Sequence, residues 1–452
     1  MNKSVIAYFL CGLAILIYVP SVAQINNEDS ASQATKELPL EPKRNINFTT
    51  NEGTWISLDV SPDGEKIIFD LLGDLYMMPL KGGYATPLTS GMAYDVHPRF
   101  SPDGNSILYI SDKSGSDNVW TMDLDSKKEK QISHDKKHNF FSATWTRDGN
   151  YIVAAKGRRN AKFKIYHKEG GTGSSLFTEP KDLKTIDPAF GAEGKLLYFS
   201  RRKSAWNYNA QLPQYQIGTY DMEDGDLAVV TSRYGSAFTP TLSPDGKWLV
   251  YGTRYETETG LIIRDLETGE EKWLAYPIQH DEQESIAALG VLPGMSFTPD
   301  SKTLVASYGG KIYGLSIEEN KAELIPFSVQ VNLDLGPSLA FKYPIVDVSK
   351  GEISQIRDAV PSPDGSKIAF TALDRLYVMN LSNGQSQRMT HHDFTEAMPV
   401  WSPKGDALVF STWEGQGGHL YKINLEGKKR LTQLTEVAGL YTQPAWSYQT
   451  DR

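Results

Sequence analysis

The tetrapeptide Ser61-Pro62-Asp63-Gly64 returns as Ser101-Pro102-Asp103-Gly104, Ser243-Pro244-Asp245-Gly246 and Ser362-Pro363-Asp364-Gly365. Looser copies stand at Thr146-Arg147-Asp148-Gly149, Gly191-Ala192-Glu193-Gly194, Thr298-Pro299-Asp300-Ser301 and Ser402-Pro403-Lys404-Gly405. From start to start the steps are 40, 45, 45, 52, 55, 64 and 40 residues. Proline presets φ for the second turn position, a short polar side chain follows, and glycine accepts the left-handed conformation that leads into the next strand. Each tetrapeptide therefore reads as a tight hairpin link.

The flanks of these turns predict strands. Three residues before a turn stand Pro98, Pro188, Pro240, Pro399 and Pro444, a residue tolerated where a strand begins, and just before it an apolar residue such as Phe100, Trp145, Phe297 or Trp401. Eight positions after the turn start, Phe69, Tyr109, Phe199, Tyr251, Phe370 and Phe410 end short alternating runs. A third run follows, with Tyr76, Trp120, Tyr313, Tyr377 and Tyr421 at matching places that predict packing between repeats, and a fourth, shorter run closes the unit. Four antiparallel strands per unit at this period predict an all-β chain, a β-propeller of four-stranded blades.

Domain limits follow from where the repeats stop. Met1–Lys3 are short and basic, residues 4–19 are almost wholly apolar, and Pro20-Ser21-Val22-Ala23 supplies a small-residue cleavage pattern, so residues 1–23 read as a signal peptide. Residues 24–44 are polar and read as a linker. Residues 45–329 hold six repeats, 330–356 carry no repeat mark and read as a crossover, and 357–452 hold further blades of an incomplete second propeller. One eight-bladed ring with a long insertion fits the same spacing. Tyr441–Ser447 repeat the opening of a ninth unit, which favours a fragment of a longer protein.

The one cysteine, Cys11, lies in the leader, so the exported chain has neither a disulfide nor a thiol nucleophile, as suits a bacterial periplasm or secretion. A net charge of −9 argues against nucleic acid as a partner. No membrane span is expected once the leader is cleaved.

The repeat with its Pro-x-Trp/Phe lead-in resembles the Pro-Asp variety of WD-like repeat in TolB, in tricorn protease propellers and in prolyl-oligopeptidase relatives. Glu52-Gly53-Thr54-Trp55 running to Asp63-Gly64, Phe69–Tyr76, Ser111–Trp120, Ala372–Tyr377 and Thr412–His419 are similar to the propeller region of secreted proteins that carry an amidohydrolase domain behind it. The resemblance implies a noncatalytic binding or gating module whose metal-dependent hydrolase domain lies downstream. The alternative it implies is a TolB-like scaffold in the cell envelope. The motifs of the catalytic part are missing: there is no His-x-His, no Gly-x-Ser-x-Gly and no His-Glu-x-x-His, so no catalytic residue, metal ligand or cofactor is assigned.

Candidate binding residues come from the links between second and third strands, which share one face of a propeller. There lie Arg158 and Arg159, Arg201 and Arg202 with Trp206, and Arg254 with Tyr255. Arginine forks bind carboxylates in bidentate fashion, so the cluster predicts an anionic peptide or protein partner. The plainer account is solvated loop charge paired with Glu256 or Glu258. The histidines His97, His134, His138, His280, His391 and His392 fit no zinc spacing and read as polar loop residues.

Overall fold

The computed structural model describes residues 41–452 other than 159, 204–210, 341–342, 346, 348, 428–430 and 448–452. The expected leader and most of the linker lie outside the described residues, as do Arg159 and Trp206. Regular structure is strand throughout, in two compact units that divide after Leu339. Among the described residues no helix is long and apolar enough to cross a membrane.

Six of the eight tetrapeptides build the same hydrogen-bonded cage. In the first, Ser61 Oγ donates to Asp63 Oδ1 at 2.5 Å, Asp63 Oδ1 accepts the Glu65 amide at 3.0 Å, and Ser61 Oγ accepts the Lys66 amide at 2.9 Å. The same set recurs at Ser101, Thr146, Ser243, Thr298 and Ser362. These bonds hold the turn aspartates below the usual carboxylate range; the Ser362 hydroxyl, then the Ser366 amide and hydroxyl, bring Asp364 down to about 2. Being depressed, these acids contribute stability above their ordinary pKa, and that contribution is lost as pH falls through the folded value.

The first unit holds six blades, at 58–87, 95–131, 139–175, 183–229, 238–275 and 296–325, each four strands in simple up-and-down order. Blades stack through buried aromatic and aliphatic side chains. Phe69 faces Tyr76 across the strands and stacks on it at 5.8 Å, and the paired Tyr109 and Trp120 occupy the same places in the second blade.

The ring closes after six. The glycine of each turn abuts the second residue of the preceding turn: Gly104 meets Pro62, Gly149 meets Pro102, Gly194 meets Arg147 and Gly246 meets Ala192. Gly64 of the first turn meets Pro299 of the sixth. Across the same seam Leu58 donates its amide to Gly294 O, Gly53 to Gly310 O, and Ser307 Oγ donates to Ile56 O at 2.6 Å.

The chain adds a clasp outside this seam. After Pro326, the strand Phe327–Leu335 lies parallel to Gly83–Pro87, the outer strand of the first blade, and Arg44–Thr50 pairs antiparallel with its other side. Residues 330–335, expected to open the crossover, therefore belong to a strand of the first unit. Val329 and Val331 are buried by this clasp while Arg44–Thr49 stay exposed.

The inner strands correct one detail of the sequence reading. Pro98, Pro188, Pro240 and Pro399 do not begin strands; they sit inside them, at β-bulges. The residue before each proline is left-handed, with φ of 56° at His97, 55° at Asp187, 54° at Thr239 and 53° at Met398. A proline has no amide for the ladder, and a bulge is where a sheet tolerates that.

The second unit, taken by itself, contains two four-stranded sheets at 357–388 and 395–433 around Leu376, Trp401 and Phe410. Trp401 Nε1 donates to Val360 O at 3.0 Å, and Trp446 Nε1 repeats the bond to Val400 O at 3.1 Å. The ninth opening thus docks as a blade lead-in does, though residues 441–447 form no strand.

Gly104 has φ of 74° and only ordinary contact with Pro62. Gly104→Ala is expected to cost about 1–2 kcal/mol through left-handed strain, measured by urea unfolding, whereas Gly351→Ala, in open space, should stay within about 0.5 kcal/mol of the parent.

Candidate functional site: a channel with one covered mouth

The inner strands of the six blades enclose a cavity of about 520 Å³. Counting back from each turn gives its layers. Two residues before the turn stand Asp59, Arg99, Thr144, Ala189, Thr241 and Ser296; four before stand Ser57, His97, Ser142, Asp187, Thr239 and Gly294. One residue into each turn stand Pro62, Pro102, Arg147, Ala192, Pro244 and Pro299, all exposed, which form the rim of the turn-side mouth.

Charge gathers on one side of the lumen. Arg99 Nη1 donates to Leu58 O at 3.0 Å and Met295 O at 3.1 Å and lies 3.7 Å from Asp59 Oδ1. Burial pushes Asp59 up against the pull of Arg99. Asp70, buried behind the lumen, accepts the amides of Ser57 and His97, yet desolvation outweighs both bonds and raises it to about 7. Asp187 accepts Ser200 Oγ at 2.9 Å and is raised by burial to about 6. Burial, with Arg99 nearby, takes His97 down to about 4, so its imidazole is neutral at pH 7.

Two polar atoms in this wall have no partner. His97 Nε2 and Trp145 Nε1 are buried and unbonded, although His97 and Trp145 are 9 % and 8 % exposed and both border the cavity. In the second unit the tryptophans at the position of Trp145 do find a carbonyl. Burying either group without a bond costs about 1–3 kcal/mol, so each is a polar atom of the wall left to be satisfied.

The opposite mouth is covered. Residues 276–295 link the fifth blade to the sixth and cross the channel on the face away from the turns. Trp55 Nε1 donates to Leu289 O at 2.7 Å, Lys184 Nζ to Ile286 O at 3.2 Å and Arg202 Nη1 to Gln283 O at 3.5 Å. Arg254 takes Asp281 in bidentate fashion at 2.6 and 3.0 Å and Glu284 at 2.5 and 3.0 Å. Asp281, wholly buried, also accepts Thr259 Oγ1 at 2.5 Å. Glu284, then Asp281, hold the Arg254 guanidinium above its ordinary pKa.

The predicted arginine cluster is therefore dispersed. Arg202 and Arg254 both hold the covering segment, and Arg202 lies over the Tyr215 ring at 5.2 Å. Arg201, next in the strand, points to the other sheet face and packs on Gly218. Arg158 donates to Lys137 O at 2.9 Å. Tyr255 is 55 % exposed and joins Trp273 and Tyr276 in a surface aromatic group. Sequence reasoning missed Asp281 and Glu284 as the arginine partners, and it missed His97 and Trp145 as lumen residues.

Residues 36–212 match the family model described as the TolB beta propeller domain. The first unit is a TolB-like β-propeller. Over 122 residues the chain is 30% identical to the Tol-Pal system protein TolB of Wolinella succinogenes, covering 26% of this chain and 28% of that protein. Over 187 residues it is 31% identical to the uncharacterized peptidase YuxL of Bacillus subtilis, covering 41% and 26%. The chain thus spans under a third of the length of these two relatives. The putative TolB from Agrobacterium tumefaciens superposes over 57% of this chain and 95% of its own, with a TM-score of 0.44 and 15% identity.

Two outcomes follow for this TolB-like unit. Arg254→Met strands a buried Asp281 carboxylate and is expected to destabilise the unit by about 3 kcal/mol in chemical unfolding. Asp187, raised to about 6, favours folding most below its unfolded pKa, and that contribution declines as pH rises through about 6. Asp187→Asn is therefore expected to show a smaller fall in Tm between about pH 4.5 and about pH 7 than the parent.

Proposed function

We propose that the chain is a noncatalytic binding module of the bacterial cell envelope, exported to the periplasm, which takes a peptide segment of a protein partner at the turn-side mouth of the channel. The observation that carries this reading is the lumen wall, with its unbonded Trp145 Nε1 and His97 Nε2 beneath an exposed rim of prolines. A proline rim with an adjacent arginine suits an extended peptide: the rings offer apolar contact at little entropic cost, and Arg147 offers a charge. Likeness to the Tol-Pal system protein supports an envelope scaffold.

The finer reading places this propeller ahead of a metal-dependent amidohydrolase domain. It is supported by the stretches at Glu52–Asp63 and Thr412–His419, and an in-phase downstream sequence bearing His-x-His is the observation that decides it.

The rim variants Ala192→Trp and Arg147→Glu test the binding mode. Ala192 is exposed, so the Tm of its variant should move little, whereas Arg147 also donates to Gly191 O at 3.1 Å and Phe190 O at 3.0 Å, so Arg147→Glu is expected to lower Tm and is compared at a temperature where it is folded. The proteins captured from an envelope extract by the parent should be lost from both variants; an unchanged set of captured proteins would remove the turn-side mouth as the binding surface.

A further inference from the structure

The segment Ile278–Leu289 differs from the rest of the ring in how it is held. Elsewhere the strands are fixed by buried aliphatic and aromatic side chains. Here the buried residues are Asp281, Gln283 and the small Ala287, while His280, Ile286 and Ala288 face solvent. Its fastenings are polar: the Arg254 fork on Asp281 and Glu284, and the Lys184, Arg202 and Trp55 bonds to its carbonyl oxygens. Pro277 stands at one end and Gly290, with φ of 87°, at the other, while the residues past it, Val291 and Leu292, are anchored in the core.

Beneath the segment the ring is cationic. Lys184 and Arg202 come from the fourth blade and Arg254 from the fifth; Arg254 takes the carboxylates of Asp281 and Glu284, while Arg202 and Lys184 donate to the backbone carbonyl oxygens of Gln283 and Ile286. Burial and the neighbouring Arg202 lower Lys184 to about 8, as close like charges require. The whole chain is acidic, so this concentration of cations under a carboxylate-bearing cover is local.

We infer that residues 278–289 are a charge-latched lid, an internal ligand seated in a cationic mouth where Arg254 takes its carboxylates and Lys184 and Arg202 its carbonyl oxygens, and that an acidic peptide with carboxylates three residues apart displaces it in trans. The mouth concerned is opposite the turn-side rim, so this inference stands apart from the binding mode proposed above. Displacement exchanges one set of charge-assisted bonds for another, at the further loss of the apolar contacts of Ile278, Ala287 and Leu289 with the ring. A held lid of this kind sets a threshold: the partner must outcompete a segment present at high effective concentration.

The full chain carrying Asp281→Asn and Glu284→Gln tests the latch. In hydrogen–deuterium exchange its amides at 278–289 are expected to exchange about tenfold faster or more than in the parent, with the inner-strand amides of 183–190 and 238–242 unchanged. A fluorescent synthetic peptide of residues 278–289 should bind that variant, more weakly in high salt. The affinity should fall about tenfold or more when Arg254→Gln is added, or when the peptide carboxylates are amidated. The inference is overturned if exchange at 278–289 is unchanged, if it rises equally in the inner strands, if the peptide does not bind, or if binding ignores Arg254 and the carboxylates.

Discussion

The ring depends on an amide that its own sheet cannot use. Where an inner strand bulges, the left-handed residue before proline turns its N–H out of the ladder and toward the preceding blade. His97 donates to Asp70 Oδ2 at 2.9 Å, Asp187 to Ser142 Oγ at 2.8 Å and Thr239 to Ser200 Oγ at 2.8 Å. In the second unit Met398 donates to Asp358 Oδ2 at 3.0 Å. A buried amide must find an acceptor. The acceptor is a side chain on the preceding blade, so a local irregularity becomes a bond between repeats. The strain of a non-glycine left-handed residue, most marked at the β-branched Thr239, is borne because that bond and the blade packing over-determine it.

Closure adds a second device. Many rings are shut by sharing one blade between the two chain ends, but here the first and sixth blades are each continuous in sequence. The seam is held by Gly64 against Pro299, by the Leu58 and Ser307 bonds, and by the strand pair outside the first blade. That pair also answers an edge problem. The outer strand Gly83–Pro87 would present unpaired groups, and Phe327–Leu335 covers it. The edge then passes to Arg44–Thr50, whose polar Arg44, Asn45 and Asn47 make it a poor template for further pairing.

The repeat was legible because each turn needs the same few residue types at fixed offsets, and the aromatic pairs follow from the same count, as Phe370 with Tyr377 and Phe410 with Tyr421. The lumen was legible in principle, since its layers lie two and four residues before every turn. It went unread because those positions share no residue type: Asp59, Arg99, Thr144 and Ala189 occupy equivalent places with different chemistry. The prolines misled for a related reason, as a strand start and a bulge leave the same mark in sequence. The arginines took separate partners: Arg254 holds Asp281 and Glu284, Arg202 the Gln283 carbonyl and Arg158 the Lys137 carbonyl. The step between the fifth and sixth turns, 55 residues, was the sign of this insertion, and its Asp281–Glu284 stretch was the charge complement of Arg254.

Residues 278–289 cover one end of the channel, and burial within the ring lifts Asp70 to about 7 and Asp187 to about 6 while keeping His97 neutral. Water admitted above Asp187 would stabilise its charged form, and by reciprocity a charged Asp187 would favour the state in which water is admitted. Gly290, the hinge at the end of the covering segment, lies directly over Asp187: a Cβ there would stand 3.7 Å from the carboxylate oxygen.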